Sequence, residues 1–228
     1  MAISSPTLSR RIDNQRMPRF ITVEGPIGVG KTTLATRLSD SLGYPTMLEP
    51  AAENPFLGRF YRESRRYAMQ TQLFFLLHRA RMVADIADGD LIETQLVADF
   101  MMEKDRLFAE LNLDENEFAL YEQIYETLAI KTPKPDLVIY LQAPVPILLD
   151  RIRQRAIPSE QNMDPEYLTA LAESYTKFFH YYDASPLLIV NAAEIDFASD
   201  DVHYSALLDQ LKDFEGVRQY FNPHPTLV

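Results

Sequence analysis

The 228-residue chain has no cysteine and no tryptophan, and its basic residues are outnumbered, 22 Lys+Arg against 33 Asp+Glu. Without cysteine there is no disulfide, no thiolate metal site and no cysteine nucleophile. That composition fits a reducing compartment, and the cytoplasm is the expected location. The formal net charge of −11 repels nucleic-acid polymers and anionic bilayers, so neither is an expected partner. No apolar run approaches the ~20 residues of a membrane-spanning helix, Leu73 to Leu77 being the densest. Beyond Met17 there is no Gly/Ser linker, low-complexity tract or repeat, so one full-sized domain is expected rather than two.

The first eighteen residues differ from the rest. They hold Arg10, Arg11 and Arg16 against Asp13 as the only acid, together with Ser4, Ser5 and Ser9. Two readings stand: a disordered extension with the domain starting near Met17, or an organelle transit peptide. Neither an amphipathic run nor an apolar core for secretion is present. The expected divisions are an extension over residues 1–17, a catalytic domain over 18–215 and a tail over 216–228.

What the domain contains is a regular alternation of strand-like and helical runs. Phe20 to Val23, Thr46 to Glu49, Asp90 to Glu93, Leu137 to Leu141 and Leu187 to Val190 read as five strands. Between them, apolar residues recur at helical spacing over Lys31 to Leu42, Tyr67 to Ala87, Phe118 to Ile130, Ile147 to Arg155 and Tyr167 to Phe179. The fourth strand is apolar throughout, as a strand buried on both faces should be. This pattern predicts an α/β sandwich around a mostly parallel sheet, with ligands bound beyond the carboxyl ends of the strands.

One motif carries most of the chemistry. Gly25-Pro26-Ile27-Gly28-Val29-Gly30-Lys31-Thr32 matches G-x-x-x-x-G-K-[ST] and lies between the first strand and a helix start. Glycines let the backbone wrap with its N–H groups inward, and the helix N-terminus adds positive potential. Lys31 reaches the β- and γ-phosphates, the Thr32 hydroxyl can ligate Mg²⁺, and Thr33 follows on the same turn. A nucleoside triphosphate is therefore expected. Glu93, at the end of the third strand, is the expected second partner of the metal. Arg151 and Arg155, four residues apart, share a helical face after the fourth strand and are suited to a lid that neutralises a phosphoryl group in transfer. Glu49, at the end of the second strand, opens onto the rim of the phosphate loop, where a carboxylate can accept the proton of an alcohol. Gln72 and Arg79 lie two turns apart on one helical stripe with Phe75 between them, an arrangement suited to a flat heterocycle. Asp99 is placed to pair with Arg79.

In their order these residues resemble the deoxynucleoside kinase family, over about Phe20 to Phe197. The resemblance rests on Val23-Glu24-Gly25 leading into the phosphate loop, Glu49-Pro50, the Gln72-to-Arg79 helix, Glu93 at a strand end and Leu141-Gln142-Ala143-Pro144. It ends with Arg151 to Leu168, including Glu160-Gln161 and Glu166-Tyr167-Leu168. It implies a three-layer P-loop kinase fold with a five-stranded parallel sheet of order 2-3-1-4-5, flanked by helices and bearing an arginine lid. It also implies a homodimer that transfers a phosphoryl group from ATP, with Mg²⁺, to the 5′-hydroxyl of a deoxyribonucleoside. Glu49 would be the base, with Lys31 and Arg151 beside it as catalytic groups. Gln72, Phe75, Arg79 and Asp99 would meet the nucleobase, Tyr61 and Glu160 the sugar 3′-hydroxyl, and Arg151 and Arg155 the donor phosphates. Bulky Phe75 inclines the acceptor toward purines.

The chain departs from the family pattern in three places. Thr94-Gln95 follows Glu93 where the family has Arg and Ser, leaving Arg153 or Lys104 to supply that charge. Ile157 stands at the second arginine of the lid. Over the helix from Asp99, either Asp99-Phe100 or Asp105-Arg106 fits the family's Asp-Arg, and either Phe100 or Phe108 fits the aromatic against the base. Two other functions remain open from the sequence: a thymidylate-type monophosphate kinase using Arg62, Arg65 and Arg66, and an NTP-binding regulator without phosphoryl transfer.

Overall fold

Parallel strands can be joined only by long crossovers, and the alternation of short apolar runs with helices supplies them. The computed structural model describes residues 17–88 and 95–223. Among the described residues six strands, all parallel, form one sheet in the order β2-β3-β1-β4-β5-β6. They are β1 (Phe20–Glu24), β2 (Thr46–Met47), β3 (Leu96–Ala98), β4 (Leu137–Gln142), β5 (Leu187–Asn191) and β6 (Arg218–Phe221). β1 lies at the centre, with Ile21 opposite both Val97 and Leu137, and its residues Ile21 to Glu24 are fully buried.

One strand expectation falls outside the described residues, and the strand count is corrected. The sequence points to Asp90 to Glu93 as the third strand. That segment, with Glu93 and Thr94, lies outside the described residues, and the strand paired with β1 is Leu96–Ala98. A strand held between two neighbours is covered on both faces, which suits uncharged Leu-Val-Ala. The acid following the observed strand is therefore Asp99. The expected count of five becomes six, because Arg218–Phe221, within the expected tail, pairs with β5. An edge strand covered on one side only needs no continuous apolar run, and Arg218-Gln219-Tyr220-Phe221 shows none.

The helices are α1 (Lys31–Leu42), α2 (Leu57–Phe60), α3 (Ser64–Asp88), α4 (Glu103–Asn112), α5 (Glu115–Leu128), α6 (Val145–Arg155), α7 (Pro165–Tyr181) and α8 (Asp201–Lys212). α5 starts on a capping box, with Asp114 accepting from the Glu117 N–H and the Glu117 carboxylate accepting from the Asp114 N–H. α7 starts on Asp164 with Pro165 in its first turn, where a missing N–H costs nothing. The main core joins β1, β4 and β5 to α1, α7 and α8. In it Tyr140 stacks on Phe179 at 4.1 Å between ring centroids. A second apolar cluster, with Leu76, Val83, Phe100 and Tyr121, lies beneath α3 and α5. α4 packs against α3, α5 and α7, and this crossing carries a charged segment into the interior.

Candidate active site

The phosphate loop is built where β1 ends and α1 begins. Gly25 has φ +147°, and a Cβ there would stand 2.5 Å from the Leu141 carbonyl oxygen. Gly28 has φ +85°, with the Leu148 carbonyl 2.8 Å from the same hypothetical atom. The loop thus passes too close to β4 and α6 for any side chain at these positions. Lys31 folds back so that its ammonium donates to the carbonyls of Gly25 (2.7 Å) and Pro26 (3.2 Å). Burial lowers its pKa to about 8, and the charge of Lys104 acts in the same direction, against the pull of Glu24, Asp99 and Glu49.

Asp99, at the carboxyl end of β3, ties the loop to the next segment. Its Oδ2 accepts the Thr32 hydroxyl (2.5 Å) and its Oδ1 accepts the backbone N–H of Glu49 (2.7 Å). It does not pair with Arg79, because its two oxygens are engaged by the Thr32 hydroxyl and the Glu49 N–H. Arg79 binds Asp105 instead, from α4. A hydroxyl and a carboxylate side by side at a phosphate loop are the oxygen donors that Mg²⁺ takes, so Thr32 and Asp99 fit that ion.

Glu49 lies at the centre of a buried ionic network. Arg79 addresses only one of its oxygens, Oε1, through Nε (2.6 Å) and a terminal nitrogen (2.5 Å). Lys104 donates to the other oxygen, Oε2, at 3.1 Å. Burial alone would raise the Glu49 pKa, but Arg79 and then Lys104 outweigh it and hold the carboxyl at about 2. Behind Arg79, Asp105 accepts from Gln72 Nε2 at 2.6 Å and from the Tyr121 hydroxyl at 2.8 Å, and is itself fully buried. Gln72 also donates to the Asp105 carbonyl (2.8 Å). Its amide oxygen, free of these bonds, is the acceptor it can offer a ligand. Glu24, at the end of β1, is likewise fully buried, and burial raises its pKa. It accepts from the Met101 N–H (2.8 Å) and the Tyr175 hydroxyl (3.1 Å), with Lys104 at 3.8 Å.

One cleft gathers these groups: Lys31, Thr32, Glu49, Gln72, Phe75, Arg79, Asp99 and Lys104 all line it. Tyr61, Glu160 and Arg155 line it too, and Glu160 is ion-paired to Arg155. Burial, followed by the neighbouring Tyr167 and Glu160, raises the Tyr61 phenol well above its ordinary value. Phe108 lines the cleft, whereas Phe100 is packed into the second apolar cluster.

Arg151 does not line this cleft. Its guanidinium donates to the carbonyls of Ala192 (2.7 Å), Ile195 (2.9 Å) and Val29 (3.3 Å), bracing the phosphate loop against the loop after β5. With its fork engaged by backbone, only Arg155 of the expected pair faces the cleft. Arg153 is exposed and paired with Asp150 at 3.0 Å. Arg62, Arg65 and Arg66 are exposed and absent from the lining.

Lys104 and Asp105 are the groups that sequence reasoning underweights. The sequence offers each only as one of two alternatives, Lys104 beside Arg153 and Asp105 beside Asp99, yet Lys104 and Asp105 are 3% and 0% exposed. The available signal was the spacing of Asp105 and Phe108 as an alternative register.

A glycine-wrapped loop with its lysine, a carboxylate on the adjacent Thr hydroxyl and a second carboxylate across the same cleft make this a P-loop phosphotransferase. The Deoxynucleoside kinase family model matches residues 21–215, and the chain belongs to that family. It is 35% identical over 199 residues to the deoxyguanosine kinase of Bacillus subtilis (strain 168), covering 85% of this chain and 96% of that protein. It is 30% identical over 198 residues to the deoxyadenosine kinase of Lactobacillus acidophilus (strain ATCC 700396 / NCK56 / N2 / NCFM), covering 81% and 90%. The solved deoxyadenosine kinase of M. mycoides with products dCMP and a flexible dCDP bound superimposes with a TM-score of 0.74 at 24% identity. That match covers 85% of this chain and 99% of that structure, and shares the same parallel α/β fold.

Proposed function

We propose that this enzyme transfers the γ-phosphoryl group of ATP to the 5′-hydroxyl of a deoxyribonucleoside, purines favoured, in nucleotide salvage. The observation that carries the reading is the convergence of the Glu49 carboxylate and the Lys31 ammonium on one cleft. Backbone N–H groups of the loop and Lys31 hold the donor phosphates, and Arg155 reaches them from the far side. Thr32 and Asp99 hold Mg²⁺, which when bound neutralises charge on those phosphates. Glu49 orients the acceptor hydroxyl and takes its proton as the new O–P bond forms.

On the acceptor side, Phe75 and Phe108 offer faces for a base, and the Gln72 amide oxygen suits a base edge that presents N–H groups. Tyr61 and Glu160 are the groups for the sugar 3′-hydroxyl. The purine preference also draws on the named activities of the relatives, deoxyguanosine and deoxyadenosine kinases. The donor's own nucleoside has a second hollow available, lined by Thr33, Arg37, Arg155 and Phe197 on the other side of the phosphate loop. A monophosphate acceptor is disfavoured because Arg62, Arg65 and Arg66 stand outside the cleft.

The protein acts as a homodimer in the cytoplasm. A groove between α4 and α7, with Leu107, Leu111, Phe178 and the 75%-exposed Tyr181, supports the dimer as its contact face. No helix among the described residues is long and apolar enough to cross a membrane. The test is ADP release with ATP·Mg²⁺ and each of the four deoxynucleosides, beside their 5′-monophosphates. Turnover with deoxyadenosine or deoxyguanosine is expected, and turnover with monophosphates alone would overturn the reading.

A further inference from the structure

The reaction proposed above assigns no task to Lys104. Lys104 projects from the second residue of α4 into the cleft, 3% exposed, a place where an amine is costly to desolvate unless paired. Its partners are two carboxylates on separate strands' ends: Glu49 Oε2 at 3.1 Å and Glu24 Oε1 at 3.8 Å. An ordinary structural ion pair would need only one of them, and Arg79 already serves Glu49.

The way Glu49 is divided between its two cations decides what Lys104 can do. Both Arg79 contacts fall on Oε1. The oxygen left to receive an acceptor's proton is Oε2, the one that Lys104 addresses. A carboxylate oxygen has two lone pairs, so an incoming hydroxyl and the Lys104 ammonium meet on the same atom. An alcohol docked there stands beside the ammonium, and so does the phosphorus it attacks. An ammonium carries three N–H groups, and only one is within hydrogen-bond distance of a carboxylate here, since Glu24 lies beyond that range.

We infer that Lys104 is a catalytic residue, passing its charge from Glu49 Oε2 to the phosphoryl group in flight between the donor and the acceptor oxygen. The inference rests on the deoxynucleoside kinase reading and assigns the chemistry of that same site. In the step, the acceptor's O–H proton goes to Glu49 Oε2 and its oxygen bonds to the γ-phosphorus. The bond from that phosphorus to the bridging oxygen breaks, leaving its electron pair on the departing diphosphate. Lys104 donates to an oxygen of the phosphoryl group as Glu49 loses its negative charge, and Glu24 keeps the amine anchored on its other side. Lys31, held over the Gly25 and Pro26 carbonyls, attends to the donor end of the same transfer.

The experiment compares wild type, K104M and K104R at saturating ATP·Mg²⁺ and deoxynucleoside, with the dissociation constant for the deoxynucleoside measured separately. K104M is expected to lose about 10²-fold or more in kcat, the usual size of an electrostatic group at developing charge. Its deoxynucleoside affinity should stay within about threefold, because removal of a transition-state contact falls on kcat rather than on binding. K104R, which keeps the charge, is expected to recover at least about tenfold of that loss, since charge rather than shape is what the transfer requires. A K104M kcat within threefold of wild type, a loss confined to KM, or a K104R no better than K104M would each overturn the assignment. Should K104M fail to fold, K104Q takes its place under the same criteria. If wild type phosphorylates no deoxynucleoside although ATP·Mg²⁺ raises its Tm, the substrate reading fails and the assignment falls with it. If wild type is active and K104M equally so, only the assignment falls.

Discussion

The two halves of the cleft are built on opposite plans. The donor half is contiguous: eight residues from Gly25 to Thr32 make the cradle largely from backbone, and its required features are glycines at close approaches. The acceptor half is assembled from side chains on separate segments, with Glu49 beyond β2, Gln72 and Arg79 on α3, and Lys104 and Asp105 on α4. A backbone cradle tolerates change at most positions and fails at a few. A side-chain network spreads its dependence over every member, because each buried charge loses its compensation when a partner goes.

Substitutions in each half can break this contrast, beginning with the largest effect. Glu49→Gln should lower kcat by about 10²- to 10⁴-fold, the range for loss of a general base, with ATP affinity little changed. Steady-state kinetics and ATP titration check it, and near-normal turnover would remove Glu49 from the mechanism. Gly25→Ala should cost about 10²-fold in kcat/KM for ATP, since a Cβ set 2.5 Å from the Leu141 carbonyl must displace the loop. Deoxynucleoside binding should survive, showing the damage confined to the donor half. Asp105→Asn, leaving Arg79 with one fewer charge partner, should lower kcat/KM by about tenfold and reduce Tm, as uncompensated buried charges do. Exchanging Arg62, Arg65 and Arg66 together for alanine should alter kcat/KM for deoxynucleosides by less than about twofold, as exposed side chains outside a site do.

Acid stability distinguishes the halves again. Glu49 is held at about 2 against an ordinary 4.5, so its ion pairs add stability above pH 4.5 that is lost as the pH falls from 4.5 toward 2. Acid unfolding monitored by circular dichroism should therefore be shallower over that window in Glu49→Gln than in wild type.

The same contrast governs what could be read from the chain. The phosphate loop, its position between strand and helix, and the location of four of the five expected strands were legible, because each depends on neighbours in sequence. Glu49 and the Gln72–Arg79 stripe were legible as candidates, being placed by a strand end and by helical periodicity. The partner of Arg79 was not settled, since Asp99 and Asp105 are both acids at reasonable separations. They are six positions apart, and only the packing of α4 on α3 turns Asp105 toward Arg79 while the end of β3 turns Asp99 toward Thr32. The run Leu96-Val97-Ala98 was not read as a strand for a related reason: three uncharged residues carry little periodicity, and their pairing with β1 is what makes them one.

Composition and local pattern alone established an acidic α/β protein that binds a nucleoside triphosphate through a glycine-rich loop, because backbone geometry and periodicity are properties of consecutive residues. Tertiary structure decided which polar groups meet: Arg79 on one oxygen of Glu49, Lys104 on the other, the Thr32 hydroxyl on Asp99, Arg151 on backbone carbonyls. Charged side chains look alike along a chain. What separates a solvated lysine from one enclosed between two carboxylates is the packing that excludes water around it, and that exists only once the helices have closed on the sheet.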